Sequence, residues 1–239
     1  MTGDRAARGV VAQDGSPVDI YRALPRPAEA DAIHAAIRAD GSVLDLGCGT
    51  GRFARALAAL GHEVVAVDHE PAMLEELRGA DGIITVLGDL ESLSLGRTFD
   101  AVLMASHLVN DDDLGPQALG VAREHLDPAG LVIGEVYPPG TDWPAAVGRR
   151  SEVGPVGITV TRATVDGDRL SASVRYDLDG RTWDQPFTAR LLDESALTTR
   201  LDAAGLVFAG WLDASAGWFV ARARQEAGSI STTRADHGQ

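Results

Sequence analysis

The stretch "VLDLGCGTG", Val43 to Gly51, restricts the possible folds of this chain more than any other part of it. An apolar run with one acid, Asp45, ends in glycines at alternate positions, Gly47, Gly49 and Gly51. A helical pattern follows, with Phe53, Leu57 and Leu60 on one face. A strand that enters a glycine loop and then a helix brings backbone close to a nucleotide-like group. The same alternation recurs downstream. His62–Val67 reads as a strand ending at Asp68, and Pro71 opens a helix carrying Met73, Leu74 and Leu77. Ile83–Leu87 is a strand before Gly88-Asp89, and Phe99–Met104 is a strand ending near Ser106 and His107. A helix over Pro116–Leu126 leads to the strand Leu131–Val136. This order predicts an α/β fold, a parallel sheet with helices on both faces.

The flanks read differently. Residues 1–17 are polar and glycine-rich and are expected to be flexible, as is the tail 225–239. A helix is expected from Pro27 to Gly41, with Ala30, Ile33, Ala36 and Ile37 on its apolar face. Beyond Tyr137, residues 157–165, 169–177 and 182–189 alternate apolar and polar, with turn chemistry at Asp166-Gly167 and Asp179-Gly180. They predict a small antiparallel addition of two hairpin turns within about 140–190. Asp193 is placed to cap a helix ending near Gly205. Residues 206–212 and 217–223 then form an antiparallel hairpin. The expected organisation is one domain, 18–224, carrying that insertion.

Composition narrows the partners. A formal charge of −14 with scattered arginines disfavours a nucleic acid. No apolar run reaches membrane-spanning length, so no membrane partner is expected. The opening residues lack the apolar core of a signal peptide, and a cytoplasmic location is the default. A small molecule is the simplest partner, with a homodimer open. The single cysteine, Cys48, excludes an internal disulfide and a cysteine-based zinc cluster, and its place in the glycine loop suits packing.

In an open α/β sheet the ligand lies across the carboxyl ends of the strands. Three of those ends carry acids: Asp45, Asp68 and Asp89. A dinucleotide site would place a third glycine where this chain has Arg52, and Asp45 would repel a pyrophosphate. The same acid suits a ligand with an ammonium and a sulfonium, as in S-adenosylmethionine, whose ribose and adenine suit the other two. The segments 43–51, "VVAVDHEPAML" (64–74), "GDLESL" (88–93), "FDAVLMASHLV" (99–109) and "HLDPAGLVIGEV" (125–136) resemble the class I S-adenosylmethionine-dependent methyltransferase family, closely over residues 30–137.

That resemblance implies a Rossmann-like seven-stranded sheet with a reversed C-terminal hairpin, and S-adenosyl-L-methionine as cofactor. It implies that Asp45, Gly47, Gly49 and Gly51 hold the methionine part and that Asp68 accepts both ribose hydroxyls. His69 and Met73 would pack near the adenine, and Asp89 with the Leu90 amide would meet its amino group. Ala105 and Ser106 would line the path to the methyl group, and Tyr21, before the first helix, would cover the site. For chemistry the candidates are His107, Glu135 and Tyr137, and the ordinary His107 pKa of about 6.5 would suit a general base. The run Asn110-Asp111-Asp112-Asp113 invites a metal, but adjacent acids do not converge on one ion, and Asp113 reads better as a helix cap. No metal is expected. Trp143 lines a substrate pocket or packs, and Trp183 reads as core of the addition. The activity so implied is methyl transfer to oxygen, nitrogen or carbon of a metabolite or natural product. A nicotinamide-type oxidoreductase and a non-methylating protein of the same fold stay open as alternatives.

Overall fold

The computed structural model describes residues 17–225. The expectations of flexibility for the two termini therefore fall almost wholly outside the described residues. A seven-stranded sheet forms the body. Its first five strands are β1 (Ser42–Leu46), β2 (Glu63–Asp68), β3 (Ile83–Leu87), β4 (Phe99–Met104) and β5 (Leu126–Glu135), and β10 (Leu206–Trp211) with β11 (Trp218–Ala223) completes it. The spatial order is β10-β11-β5-β4-β1-β2-β3. Strands β1 to β5 are parallel, whereas β11 runs antiparallel to both β5 and β10. The order reverses between β1 and β4, and there the loops part and leave room for a ligand.

Helices cover both faces because the buried strands are apolar on both. On one face Leu44, Val65, Val102, Met104 and Val132 meet Ala118, Leu119 and Ala122 of α5 (Leu114–Glu124) and Leu197 and Leu201 of α7 (Glu194–Ala203). On the other, Val43, Val64, Ala66, Leu103 and Ile133 meet Ile33 of α2 (Ala30–Ala36) and Phe53 and Leu57 of α3 (Arg52–Ala59). Asp193 caps α7 as expected, accepting the Ala196 amide at 2.8 Å. No helix among the described residues is long and apolar enough to cross a membrane.

Several sequence expectations are corrected. The helix expected from Pro27 is α2, which starts at Ala30 and ends at Ala36, because Ile37 turns to extended backbone. A helix precedes it, α1 (Val18–Ala23), so Tyr21 lies within the first helix and not ahead of it. Helix α5 starts at Leu114, ahead of Pro116, and β5 starts at Leu126 instead of Leu131. Asp113 does not cap α5: Asp111 does so, accepting the amides of Asp113 and Leu114 at 2.9 and 2.8 Å.

The addition has four strands rather than three: β6 (Arg150–Val153), β7 (Val156–Asp166), β8 (Arg169–Leu178) and β9 (Arg181–Arg190), all antiparallel. A short helix, α6 (Trp143–Ala146), leads into it, capped by Asp142. Its inner face packs along two lines. Leu170, Ala172 and Ala189 meet Trp143, Tyr137 and Phe187, while Val156 and Leu178 meet Ile20 of α1, with Tyr176 and Trp183 beside them. Polar contacts fix the same attachment. Asp112 pairs with Arg169 at 2.6 Å and Arg190 at 2.7 Å. Buried Asn110 donates to the Arg190 carbonyl at 2.7 Å and accepts the Tyr137 amide at 3.3 Å. The acidic run is therefore a clamp that fastens the small sheet over the strand ends.

Candidate active site

Two groups of residues meet at the carboxyl ends of β1, β2, β4 and β5. The first is the glycine loop with its acids. Gly47, Gly49 and Gly51 all adopt left-handed backbone, at φ 68°, 55° and 81°. Two of them matter for different reasons. A Cβ at Gly51 would overlap the Leu77 side chain, so this glycine lets the loop close onto the body. A Cβ at Gly49 would meet nothing within 4 Å, so its backbone faces open space. The Gly49 amide donates to Asp68 Oδ2 at 2.8 Å, and the Glu70 amide donates to Asp68 Oδ1 at 2.9 Å. Asp68 thus sets the loop's position and keeps a lone pair on each oxygen for a further donor. The cap of helix α4 (Pro71–Glu75) falls to Glu70, which accepts the Ala72 amide.

Asp45 is the unusual member. It is 1% exposed, and neither carboxylate oxygen has a hydrogen-bond partner among the described residues. Burial, with the charge of Asp68 nearby, raises its pKa to about 7. Only the Ala54 amide acts to hold the charged form, and a buried acid so short of donors is costly and calls for a cation or donor from outside the chain. Cys48 beside it is held as a thiol, its pKa raised by burial. That agrees with a packing role.

The second group surrounds the β4 and β5 ends. Ser106 and His107 are consecutive left-handed residues, at φ 56° and 60°, a strained turn that must be held by its surroundings. Glu135, the last residue of β5, accepts the Ser106 amide at 2.7 Å and holds it. Burial raises the Glu135 carboxyl to about 7, although the Ser106 amide and the charge of Arg52 act against it. His107 Nε2 is 3.7 Å from Glu135 Oε1, and its ring stacks on Tyr137 with centroids 3.9 Å apart. Burial lowers the His107 pKa to about 4, below the ordinary value of about 6.5. Burial thus favours the neutral imidazole and brings the Glu135 carboxyl toward neutrality. The Tyr137 hydroxyl is pushed up by burial and by Glu135. Trp143 meets Tyr137 edge-on at 5.0 Å and is buried core, not an open pocket wall.

The other expected residues are dispersed. Met73 is buried with Val18, and Tyr21 packs beside them. His69 is half-exposed, its Nδ1 3.6 Å from Asp68 Oδ1. Asp89 is exposed and accepts the Glu91 amide at 3.0 Å, a local turn, while Leu90 leans on the core. Residues 43–47, 64–68 and 99–104 carry the site forward, yet Tyr176 was not foreseen. It shares a hydrogen bond with Tyr21, and burial pushes its hydroxyl up. Its inward position follows from alternation along β8, a signal present in the sequence. Among the described residues no group of histidine, cysteine and acidic side chains has the arrangement to hold a metal ion.

No ligand accompanies the chain, so the fit of S-adenosylmethionine rests on the residues. A buried carboxylate short of donors, beside a loop whose glycine faces open space, is what a cationic amino-acid moiety requires. The acceptor oxygens of Asp45 and the open approach at Gly49 fit that group.

Residues 43–130 match the family model described as a methyltransferase domain. A cypemycin N-terminal methyltransferase from Streptomyces is 38% identical over 132 residues, which is 51% of this chain and 54% of that protein. The chain therefore matches about half the length of this curated relative. Among solved structures, the CcbJ methyltransferase from Streptomyces caelestis is 26% identical with a TM-score of 0.70, covering 87% of this chain and 96% of that one. CalS10, an amino pentose methyltransferase from Micromonospora echinaspora solved with bound S-adenosylmethionine, is 28% identical with a TM-score of 0.62, covering 80% and 87%. These similarities give no support to the nicotinamide alternative. A methyltransferase-domain match over residues 43–130, which runs through the glycine loop and the strands that bear Asp45 and Asp68, and a fold shared along most of the chain make it similar to S-adenosylmethionine-dependent methyltransferases.

Proposed function

We propose that the chain methylates an amine of a small-molecule acceptor, a metabolite or natural product, with Glu135 as the group that takes the amine's proton. The supporting observation is Glu135 itself: a largely buried carboxyl at the end of β5, with its pKa raised to about 7, holding the Ser106 amide and beside His107. An ammonium does not attack carbon until it loses its proton, and a base is most effective when its pKa lies near the working pH. Two similar proteins point the same way, since one is named for an N-terminus and the other for an amino pentose.

S-adenosylmethionine, when bound, supplies a methyl group already activated on sulfonium. The chain's residues then have to align and exclude water. Asp45 faces the cation, Gly49 allows close approach, and Asp68 fixes the loop while keeping acceptor capacity for ribose hydroxyls. His107, stacked on Tyr137, stands beside Glu135. From the four-stranded sheet Phe187 packs against Tyr137 and Trp143, and Tyr176 packs beside Ile20 of α1.

The test is a screen of small amines, hydroxyl compounds and carbon acids with S-adenosylmethionine, read by the mass gain of one methyl group. Methylated amines are expected. Glu135→Gln should lower kcat by about 10²- to 10⁴-fold, the usual worth of a positioned base, with cofactor affinity retained. Methylation confined to oxygen or carbon acceptors would overturn the amine reading.

A further inference from the structure

Among the described residues four strand edges border the two sheets, and three of them carry features that obstruct the addition of another strand. Strand β6 has only four residues, with Arg150 and Glu152 among them. Strand β9 carries Pro186 and the charges of Arg181, Asp184 and Arg190. Strand β10 is interrupted by a bulge between Phe208 and Gly210. The fourth edge, β3, differs. Its sequence, Ile83-Ile84-Thr85-Val86-Leu87, has no charge and no proline, and it pairs with β2 without a register shift. It stands last in the seven-stranded order, and among the described residues no strand pairs with its outer side. Ile84 and Leu87, 54% and 61% exposed, are also the most exposed large apolar side chains among the described residues.

Such an edge hydrogen-bonds to an extended strand, because alternate residues turn their N–H and C=O groups outward. The residues select which strand fits. An antiparallel copy of β3, related by a two-fold axis through Thr85, sets Thr85 opposite the partner's Thr85. The same axis sets Ile84 opposite the partner's Val86 and Leu87 opposite the partner's Ile83. Side chains directly opposite in an antiparallel pair share a face and touch. Each exposed apolar group thus meets a half-buried one, and no charged group is buried, in a chain of formal charge −14. We propose that β3 is a self-association edge, at which two copies of the chain join their seven-stranded sheets into one continuous sheet. Two strands of five residues cover less than the roughly 1,200 Å² of a standard interface, so the dimer is reversible, with a dissociation constant on the order of 10⁻⁴ M. The axis also brings exposed Asp81, ahead of β3, toward the partner's Asp89, behind it, so two like-charge contacts oppose the dimer.

Sedimentation equilibrium of the full chain, from about 10⁻⁶ to 10⁻³ M, reads the association. A monomer–dimer equilibrium is expected. Ile84→Lys sets a charge against the partner's Val86 twice over and should weaken the dimer by roughly tenfold or more. Val207→Lys makes the same kind of change on the opposite edge, at a residue 41% exposed, and should leave the dimer unchanged. Asp81→Lys turns both repulsions into attractions and should tighten the dimer by about threefold to tenfold, a gain that fades near about 1 M salt. Circular dichroism confirms that the variants fold, and Asp81→Lys still tests the register if Ile84→Lys does not fold. Monomer at every concentration, which leaves the edge to an extended peptide of another protein, overturns the proposal. A dimer indifferent to Ile84→Lys, or weakened equally by Val207→Lys, lies elsewhere on the surface and also overturns it. A dimer that Asp81→Lys fails to tighten overturns the register centred on Thr85.

Discussion

Asp45→Asn separates what a buried carboxylate costs the fold from what it does for a ligand. The Asp45 pKa is raised from 3.8 to about 7, chiefly by burial and then by Asp68. As pH rises the unfolded chain gives up this proton first, so between about pH 4 and 7 the folded state holds more protons and loses stability. The difference between 3.8 and about 7, at about 1.4 kcal/mol for each pH unit, amounts to roughly 4 kcal/mol by pH 8. At pH 5.5 only about half of this has developed. An amide carries no charge, so cofactor-free Asp45→Asn should be more stable than the wild type, and its advantage should widen by about 2 kcal/mol between pH 5.5 and pH 8.

Urea unfolding at several pH values measures that widening. The same variant should bind S-adenosylmethionine more weakly, by about 1.5–3 kcal/mol, because the ligand's cation loses its charged partner. Binding to the wild type near pH 7 should also release protons, as the cation ionises Asp45; calorimetry in buffers of different ionisation enthalpy detects this. A stability advantage that does not change with pH, or unchanged cofactor affinity, would refute the reasoning.

Asp68→Ala should cost about 1.5–3 kcal/mol of cofactor affinity, since it removes the anchor of the Gly49 amide and, on the proposed function, the acceptor for the ribose; equilibrium binding checks it. Gly51→Ala should destabilise the fold by about 2–4 kcal/mol, from left-handed backbone and collision with Leu77, as measured by a lower urea midpoint. Asp112→Ala should cost only about 1 kcal/mol of global stability, because its partners are partly exposed. It should nevertheless speed amide exchange along β9 where Arg190 loses its clamp.

Much of the site lay in the order of the chain. The strand ends at Asp45 and Asp68 were readable because a buried parallel strand is a short apolar run, and the acid that breaks it marks the sheet's edge. What escaped had weak local signals. Helix α1 has six residues between prolines, and its helical state depends on Ile20 packing against Val156 and Leu178, more than 130 positions away. Strand β6, "RSEV", carries no alternation and exists by pairing with β7. Asp111 and Asp113 are equally good caps by composition, and only backbone geometry chooses Asp111. The depressed His107 pKa likewise comes from burial, with Tyr137 stacked on the ring from thirty residues further along the chain.

Titration of the purified chain with S-adenosylmethionine, in competition with a reduced nicotinamide cofactor, bears most directly on the site's identity. Saturable one-to-one binding of S-adenosylmethionine is expected, weakened in Asp68→Ala and not displaced by the nicotinamide. Binding of the nicotinamide with none of S-adenosylmethionine would contradict the assignment of Asp45, the glycine loop and Asp68 to a cationic methyl donor.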